Sequence, residues 1–356
     1  MRLGERGCAR EFVLGRARGL CGAVIRARLS SLVHPWVLVL CGLLAGACER
    51  EGPDSGARAS GSGGSGGELR IVATIPPLAG LASAIAPEGT RVESLIEPGV
   101  SPHGAEFSAG QLASAGAADV FVYVGLGLES GVHRLTAASR GRQLCFAEIA
   151  GLGGAGEHND HAREGDGPHT PDEDAHDDHT HGVDPHLWLD PGLVATFVPR
   201  LGEEIRSAMR ARGMDEAGIG QTRARQAALL ERVARVDAEY REAFRAREGA
   251  AVVVHHNAWS RPAERYGFRV AAVLLPHESL EPSPADLDGA VRAAKESRVR
   301  GVLTEPQLSR AVAERVAGAA GVEVVMIDPL GSGDWEGMMR ENLAALLRAA
   351  SEPGDE

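Results

Sequence analysis

Short apolar runs recur along the chain, separated by stretches whose apolar positions fall every three or four residues. Leu69 to Thr74, Arg91 to Glu97 and Asp119 to Val124 read as strands. Between and after them, about Pro77 to Ala86, Ser108 to Gly116 and Leu128 to Ala138 read as helices, the first with proline in its opening turn. The rhythm returns with strands at Ala250 to His255, Phe268 to Leu275, Val299 to Thr304 and Val322 to Ile327. Helices are expected around Pro262 to Tyr266, at Pro284 to Ser297 and Ser309 to Ala320, and finally from about Asp334 to Ala349. Strands alternating with helices indicate βαβ units and parallel pairing. Residues 192–211 and 216–247 separate the two series and look helical, the second with Ala227, Leu230, Val233, Ala234, Val236, Tyr240 and Phe244 largely at helical spacing. Such a helix would span roughly 45 Å, enough to run along two lobes. The expected fold class is therefore α/β, with two lobes, each a mostly parallel sheet flanked by helices, joined by a long rigid connector helix.

Composition narrows the function. The chain has 356 residues, room for two ordinary domains, and 44% of them are hydrophobic, which suits a globular protein. Its formal net charge of −12 excludes a broad basic face for nucleic acid. Much of the excess lies between Glu157 and His181, where nine acidic residues face one arginine, Arg163.

The beginning of the chain reads as an address. Arg26 and Arg28 precede an apolar run from Leu32 to Leu44, broken only by His34, Pro35 and Gly42. That run is shorter than the ~20 residues of a spanning helix. Ala45-Gly46-Ala47 then gives a small-residue cleavage site. Residues 1–47 are thus assigned as a signal peptide; residues 1–25 are long for such a signal, which leaves a downstream start open. Cys48 follows as in a bacterial lipobox, although Ala45 stands where a large aliphatic residue is usual. Lipidation of Cys48 is the preferred reading; plain secretion with an incidental cysteine is the other. The Gly/Ser-rich residues 48–68 form a tether that cannot bury a core. Of five cysteines only Cys48 and Cys145 remain after cleavage, so no disulfide framework is expected, and Cys145 reads as a buried apolar residue.

Histidine carries the chemistry. Thirteen are present, and seven lie between His158 and His186. His158, His161, His169, His176, His179 and His181 stand among Asp and Glu in a polar loop, residues 157–182. Imidazole and carboxylate together suit transition metals, and the irregular spacing indicates weak, multi-site collection, the other reading being a solvated insert. Four further positions are Pro102-His103, Asp184-Pro185-His186, His255-His256-Asn257 and Asp328-Pro329. Three of the four lie just past the C-terminal ends of predicted strands, where open α/β sheets bind ligands.

With these motifs in order, the chain resembles the substrate-binding proteins of zinc and manganese ABC importers, the cluster A-I or cluster 9 solute-binding family. The likeness rests on Ser101-Pro102-His103-Gly104-Ala105-Glu106, Ala118-Asp119-Val120 and Val124-Gly125-Leu126-Gly127-Leu128-Glu129. It continues through Asp184-Pro185-His186-Leu187-Trp188-Leu189-Asp190-Pro191 and His256-Asn257-Ala258-Trp259. Glu281-Pro282-Ser283-Pro284, Thr304-Glu305-Pro306-Gln307 and Asp328-Pro329-Leu330-Gly331 complete it, and it covers about residues 69–350. The histidine-rich insert is similar to that of the zinc branch. The resemblance implies a metal held between lobes by His103 and His186 from the first and His256 and Asp328 from the second. His256 matches the ligand because it precedes Asn257-Ala258; its neighbour His255 is the reserve candidate. Glu106, Asp184, Asp190 and Glu305 are expected either to accept the outer ring N–H of a ligand histidine or to serve turns and caps. Manganese members tend to carry a carboxylate at His256. Three imidazoles and one carboxylate favour Zn2+ as the transported ligand, with Mn2+ the alternative. Residues 212–225 lack the expected Tyr and Asn, and the cysteine pair of some zinc members is absent.

The expectation is an exported, lipid-anchored, monomeric protein, not an enzyme. It lies in the periplasm or on the outer face of the cytoplasmic membrane. It delivers metal to an ABC importer permease with its cytoplasmic ATPase. Its divisions are an N-terminal lobe 69–212, a connector helix 213–248 and a C-terminal lobe 249–350. Rival readings are a zinc-dependent hydrolase, opposed by Asp328 filling the fourth position and by the lack of a base tied to a nucleophile, and a surface adhesin or lipoprotein that metal merely stabilises.

Overall fold

Buried apolar strands open the folded part of the chain. The computed structural model describes residues 68–153, 183–275 and 282–352. The signal and tether, Cys48, Glu281 and the six histidines of the 157–182 loop lie outside the described residues. All described residues belong to one compact unit.

The first sheet holds β1 (Arg70–Ala73), β2 (Arg91–Ser94), β3 (Val120–Tyr123) and β4 (Arg142–Cys145) in the order β2-β1-β3-β4, every pair parallel. Three helices alternate with these strands: α1 (Pro76–Ile85), α2 (Ala109–Ala117) and α3 (Val132–Ala138). β4 and the single turn α4 (Phe146–Ile149) are additions to the expected elements. β4 sits at the sheet edge with Arg142 and Gln143 exposed and only Leu144 and Cys145 buried, so its sequence lacks the continuous apolar run that marks β1 and β3. Cys145 is 8% exposed, and burial pushes its thiol pKa up, as suits an apolar filler.

The second sheet repeats the pattern with β5 (Ala251–His256), β6 (Arg269–Leu275), β7 (Gly301–Thr304) and β8 (Glu323–Met326), in the order β6-β5-β7-β8, again all parallel. α7 (Ser260–Tyr266), α8 (Pro284–Glu296), α9 (Arg310–Ala320) and α10 (Trp335–Ala349) alternate with its strands or follow them. β5 is buried along its whole length. The expected α/β class with two parallel sheets flanked by helices is what the chain adopts.

Between the sheets run α5 (Pro191–Ala211) and the unbroken 30-residue α6 (Glu216–Arg245). Asp190 caps α5 by accepting from Gly192 N at 2.7 Å, and Asp215 caps α6 by accepting from Gly218 N at 2.8 Å. α6 packs on α1 and α5 on one side of the molecule and on α7 and α10 on the other. One apolar cluster extends from Ile71, Val120 and Phe197 through α6 to Val252, Val254, Leu303 and Val325 of the second sheet. Ala251 and Val253, on the opposite face of β5, join a separate cluster with Ala290, Ala294 and Val316. The halves also meet closely: a Cβ on Gly80 of α1 would lie 1.8 Å from the carbonyl oxygen of Gly333.

Candidate metal centre

Three loop or strand-end histidines converge at this meeting of halves. His103 stands in the loop after β2, beside the left-handed Gly104 (φ 72°). His186 precedes a short 3-10 turn, Leu187–Leu189, whose three residues are all buried. His256 is the last residue of β5. Their ring nitrogens all lie within 4.8 Å of one another, and among the described residues this trio forms the one such group of donors. His103 Nε2 is 3.3 Å from His186 Nε2, which in turn is 3.1 Å from His256 Nε2.

The carboxylates decide what these nitrogens present. His186 Nδ1 lies 2.8 Å from Asp184 Oδ1, and His256 Nδ1 lies 2.8 Å from Glu305, which immediately follows β7. Each Nδ1 therefore carries the proton it donates, and in the neutral ring Nε2 is left as a lone pair. Two lone pairs facing each other across 3.1 Å cannot hydrogen-bond; they repel unless a cation lies between them. Zn–N bonds of about 2.0–2.1 Å give tetrahedral N···N edges of about 3.3–3.4 Å, close to both observed spacings.

Asp184 is held from the other half as well. Its Oδ2 accepts from Ser260 Oγ at 2.5 Å, and its carbonyl accepts from Arg261 Nε at 2.9 Å and Nη2 at 2.7 Å, both residues opening α7. Burial alone would raise its carboxyl pKa, but the hydrogen bond and charge of His186 and the Ser260 hydroxyl outweigh it and bring the group down to about 2. Asp184 is thus ionised throughout the range in which a histidine needs an acceptor.

The remaining candidates are placed elsewhere. Asp328, two residues past β8, is not among the converging donors: its Oδ1 accepts from Gln307 Nε2 at 2.7 Å and Leu330 N at 3.0 Å. His255 alternates to the other side of β5, fully buried, with Nδ1 2.9 Å from Thr304 Oγ1. Asp190 caps α5 and pairs with Arg265 of α7 at 3.3 Å, and Glu106 is exposed. So of the four flanking carboxylates, Asp184 and Glu305 take ring protons and Asp190 serves a cap.

The trio lines a cavity with Ser101, Pro102, Trp188, Glu305, Gln307 and Leu330. It offers about 10 Å³, room for one water-sized particle. Trp188 is fully buried and braces the site, its ring centroid 5.3 Å from that of His186 and its Nε1 donating to Pro329 O at 2.6 Å. Ser260, Arg261, Gln307 and Trp188 carry no role in the sequence reading. Trp188 and Gln307 at least lie within its motifs, whereas nothing local marks Ser260 or Arg261.

Comparison with known proteins identifies the family. The family described as zinc-uptake complex component A, periplasmic (ZnuA), matches residues 71–349. A zinc-binding lipoprotein, AdcA, of Streptococcus pneumoniae serotype 4 is 28% identical over 302 residues. That match takes in 81% of this chain but 57% of the relative, so the chain spans little more than half of that protein's length. A putative metal-binding protein of Treponema pallidum is 26% identical over 288 residues, covering 80% of this chain and 88% of the relative. A crystal structure of ZnuA superimposes with a TM-score of 0.63 at 25% identity, covering 80% of this chain and 99% of that one. The Zn(II)-bound ZnuA-like domain of Streptococcus pneumoniae AdcA gives 0.57 at 25% identity, with 80% and 99% coverage. With a family match running through both sheets and the helices between them, the chain belongs to the ZnuA family of periplasmic zinc-uptake components.

Proposed function

We propose that this protein captures Zn2+ outside the cytoplasmic membrane, holds it on His103, His186 and His256, and delivers it to an ABC importer permease driven by a cytoplasmic ATPase. The observation that carries the reading is the pair of carboxylate-oriented imidazoles whose Nε2 lone pairs meet at 3.1 Å, with a third imidazole nitrogen 3.3 Å from one of them. Nitrogen-rich donor sets at tetrahedral spacing suit zinc better than manganese, which prefers more oxygen. The family and the zinc-binding names of the relatives support the same cargo. Function follows as binding and handover, without catalysis. In this reading residues 1–47 are removed on export, Cys48 is lipidated, residues 48–68 give slack, and the histidines of residues 157–182 collect metal beside the site. Lobes 69–212 and 249–350, with connector 213–248, act as a monomer.

Equilibrium titration of the purified, metal-free protein with zinc tests this. Wild type is expected to bind one ion tightly, and His103→Ala or His186→Ala to weaken binding by more than the 10–100-fold typical of losing an outer partner. Unchanged affinity in both variants removes the assignment. Binding is also expected to weaken as pH falls, because a ligand histidine must be neutral and protons compete with the metal for its nitrogen.

A further inference from the structure

Helix α7 opens four residues after His256, and its first two residues reach across to the stretch that carries His186. Ser260 Oγ donates to Asp184 Oδ2 at 2.5 Å. Arg261 donates twice to the Asp184 carbonyl, from Nε at 2.9 Å and from Nη2 at 2.7 Å, and its Nε lies 3.9 Å from Oδ2. Both side chains are largely screened from water, at 18% and 15% exposure, which strengthens bonds to a charged group. Between the gripped carbonyl and His186 stands only Pro185, whose ring fixes φ and leaves the link little play. Past His186 the chain enters the buried turn Leu187–Leu189. Asp184 Oδ1 meanwhile takes the backbone N–H of His186 at 2.9 Å and its Nδ1–H at 2.8 Å. The ring of His186 is therefore steered by a residue that α7 holds at side chain and backbone. The hold matters before any ion arrives, since facing lone pairs 3.1 Å apart push His186 and His256 away from each other. A second set of bonds on α7 lies apart from this grip. Arg265 Nε is 2.9 Å from Asp237 Oδ1 and 3.3 Å from Asp190 Oδ1, and the Tyr266 hydroxyl donates to Asp237 at 2.9 Å.

We propose that Ser260 and Arg261 are positioning residues which, through Asp184, hold His186 opposite His256 and so preorganise the pair for zinc. One short stretch, 256–261, then supplies a ligand from the second half and the grip on a ligand of the first. Ligands already held at bonding distance lose little freedom when the ion binds, and that saving appears as affinity and as slow release. The proposal deepens the proposed function and rests on the histidines holding the ion.

The test measures zinc affinity, and the rate of zinc transfer to a chromophoric chelator, for the full-length protein and for Ser260→Ala, Arg261→Ala, Arg265→Ala, Asp184→Asn and the double variant Ser260→Ala/Asp184→Asn. Ser260→Ala and Arg261→Ala are each expected to weaken zinc binding about tenfold, the lower end of the range for partners outside the ligands themselves. Release is expected to quicken in both. Arg265→Ala cuts the other bonds of the same helix; it is expected to lower the thermal midpoint and leave zinc affinity unchanged, which separates positioning from a loosened fold. In the Asp184→Asn background, Ser260→Ala is expected to cost nothing further, because the hydroxyl acts through that carboxylate. Wild-type affinity in both Ser260→Ala and Arg261→Ala overturns the proposal. So does a loss in Arg265→Ala as large as theirs, or losses that simply add in the double variant. Wild type that binds no zinc overturns the histidine site itself, a result distinct from these.

Discussion

Asp184 meets donors from both halves: the Nδ1 and backbone N–H of His186, the Ser260 hydroxyl and the Arg261 guanidinium. Replacing it by asparagine keeps the shape and removes the charge. The amide can still accept from His186 or from Ser260, but its NH2 end cannot accept from the other. Zinc affinity of Asp184→Asn is expected to fall about 10–100-fold, as when an outer partner of a metal ligand is lost, with the far-ultraviolet spectrum unchanged. Calorimetric titration checks it, and undiminished affinity would separate the carboxylate from metal binding. At this scale the sequence is legible where histidine stands in distinctive company: His103 after Pro102, His186 within Asp-Pro-His-Leu-Trp, and His256 before Asn257-Ala258. It is silent about Ser260, Arg261 and Gln307, whose roles arise only when loops 76 or 21 residues away in the chain fold against them. Asp328 is marked by its motif, and in the structure its Oδ1 accepts from Gln307 and Leu330.

Among the elements, the strands that carry an unbroken apolar run were readable to within a residue or two, because β1, β3, β5 and β7 are covered on both faces. Edge strand β4 escaped for the opposite reason, having half its residues in solvent. The ends of β1 and β3 are joined by a group the pattern of apolar positions does not announce. Glu129, 2% exposed, accepts from Thr74 Oγ1 at 2.6 Å, Val124 N at 2.8 Å and Gly125 N at 3.1 Å. Burial pushes its carboxyl pKa above the ordinary value of 4.5, against the pull of those hydrogen bonds. A raised folded pKa means that folding takes up a proton. The stability this contributes is full below 4.5 and is lost as pH rises through the higher folded value. Glu129→Gln is expected to be less stable by about 1–3 kcal/mol, since its amide cannot accept at both ends. Its stability is also expected to depend less on pH over that window. Thermal midpoints of both proteins from pH 4 upward decide the point, and parallel curves would refute the role given to Glu129.

For the molecule as a whole, the two sheets share one strand order, and a single apolar cluster runs between them through α6. That arrangement was partly legible: the repeated strand–helix rhythm and the long helix stand out in the sequence, whereas the merging of the interiors depends on packing that no local pattern encodes. An ion bound where the halves meet stabilises the folded form by mass action, adding about 2.7 kcal/mol at one hundred times Kd. For a chain of this size that corresponds to a rise in Tm of about 4–5 °C. Scanning calorimetry with zinc and with a chelator measures it directly, and coincident transitions would argue against a site that exists only in the native state. The common interior has one more consequence, for how cargo leaves. Swinging the halves apart would divide this common cluster and break the close approach at Gly80 and Gly333, so a wide clam-like opening is costly. His186 and His256 are sunk in the body of the protein, and His103 alone of the three is part-exposed, on a loop. Under the proposed function, a competing chelator is expected to meet His103 before the two sunken histidines, so exchange of the ion begins at that rim imidazole.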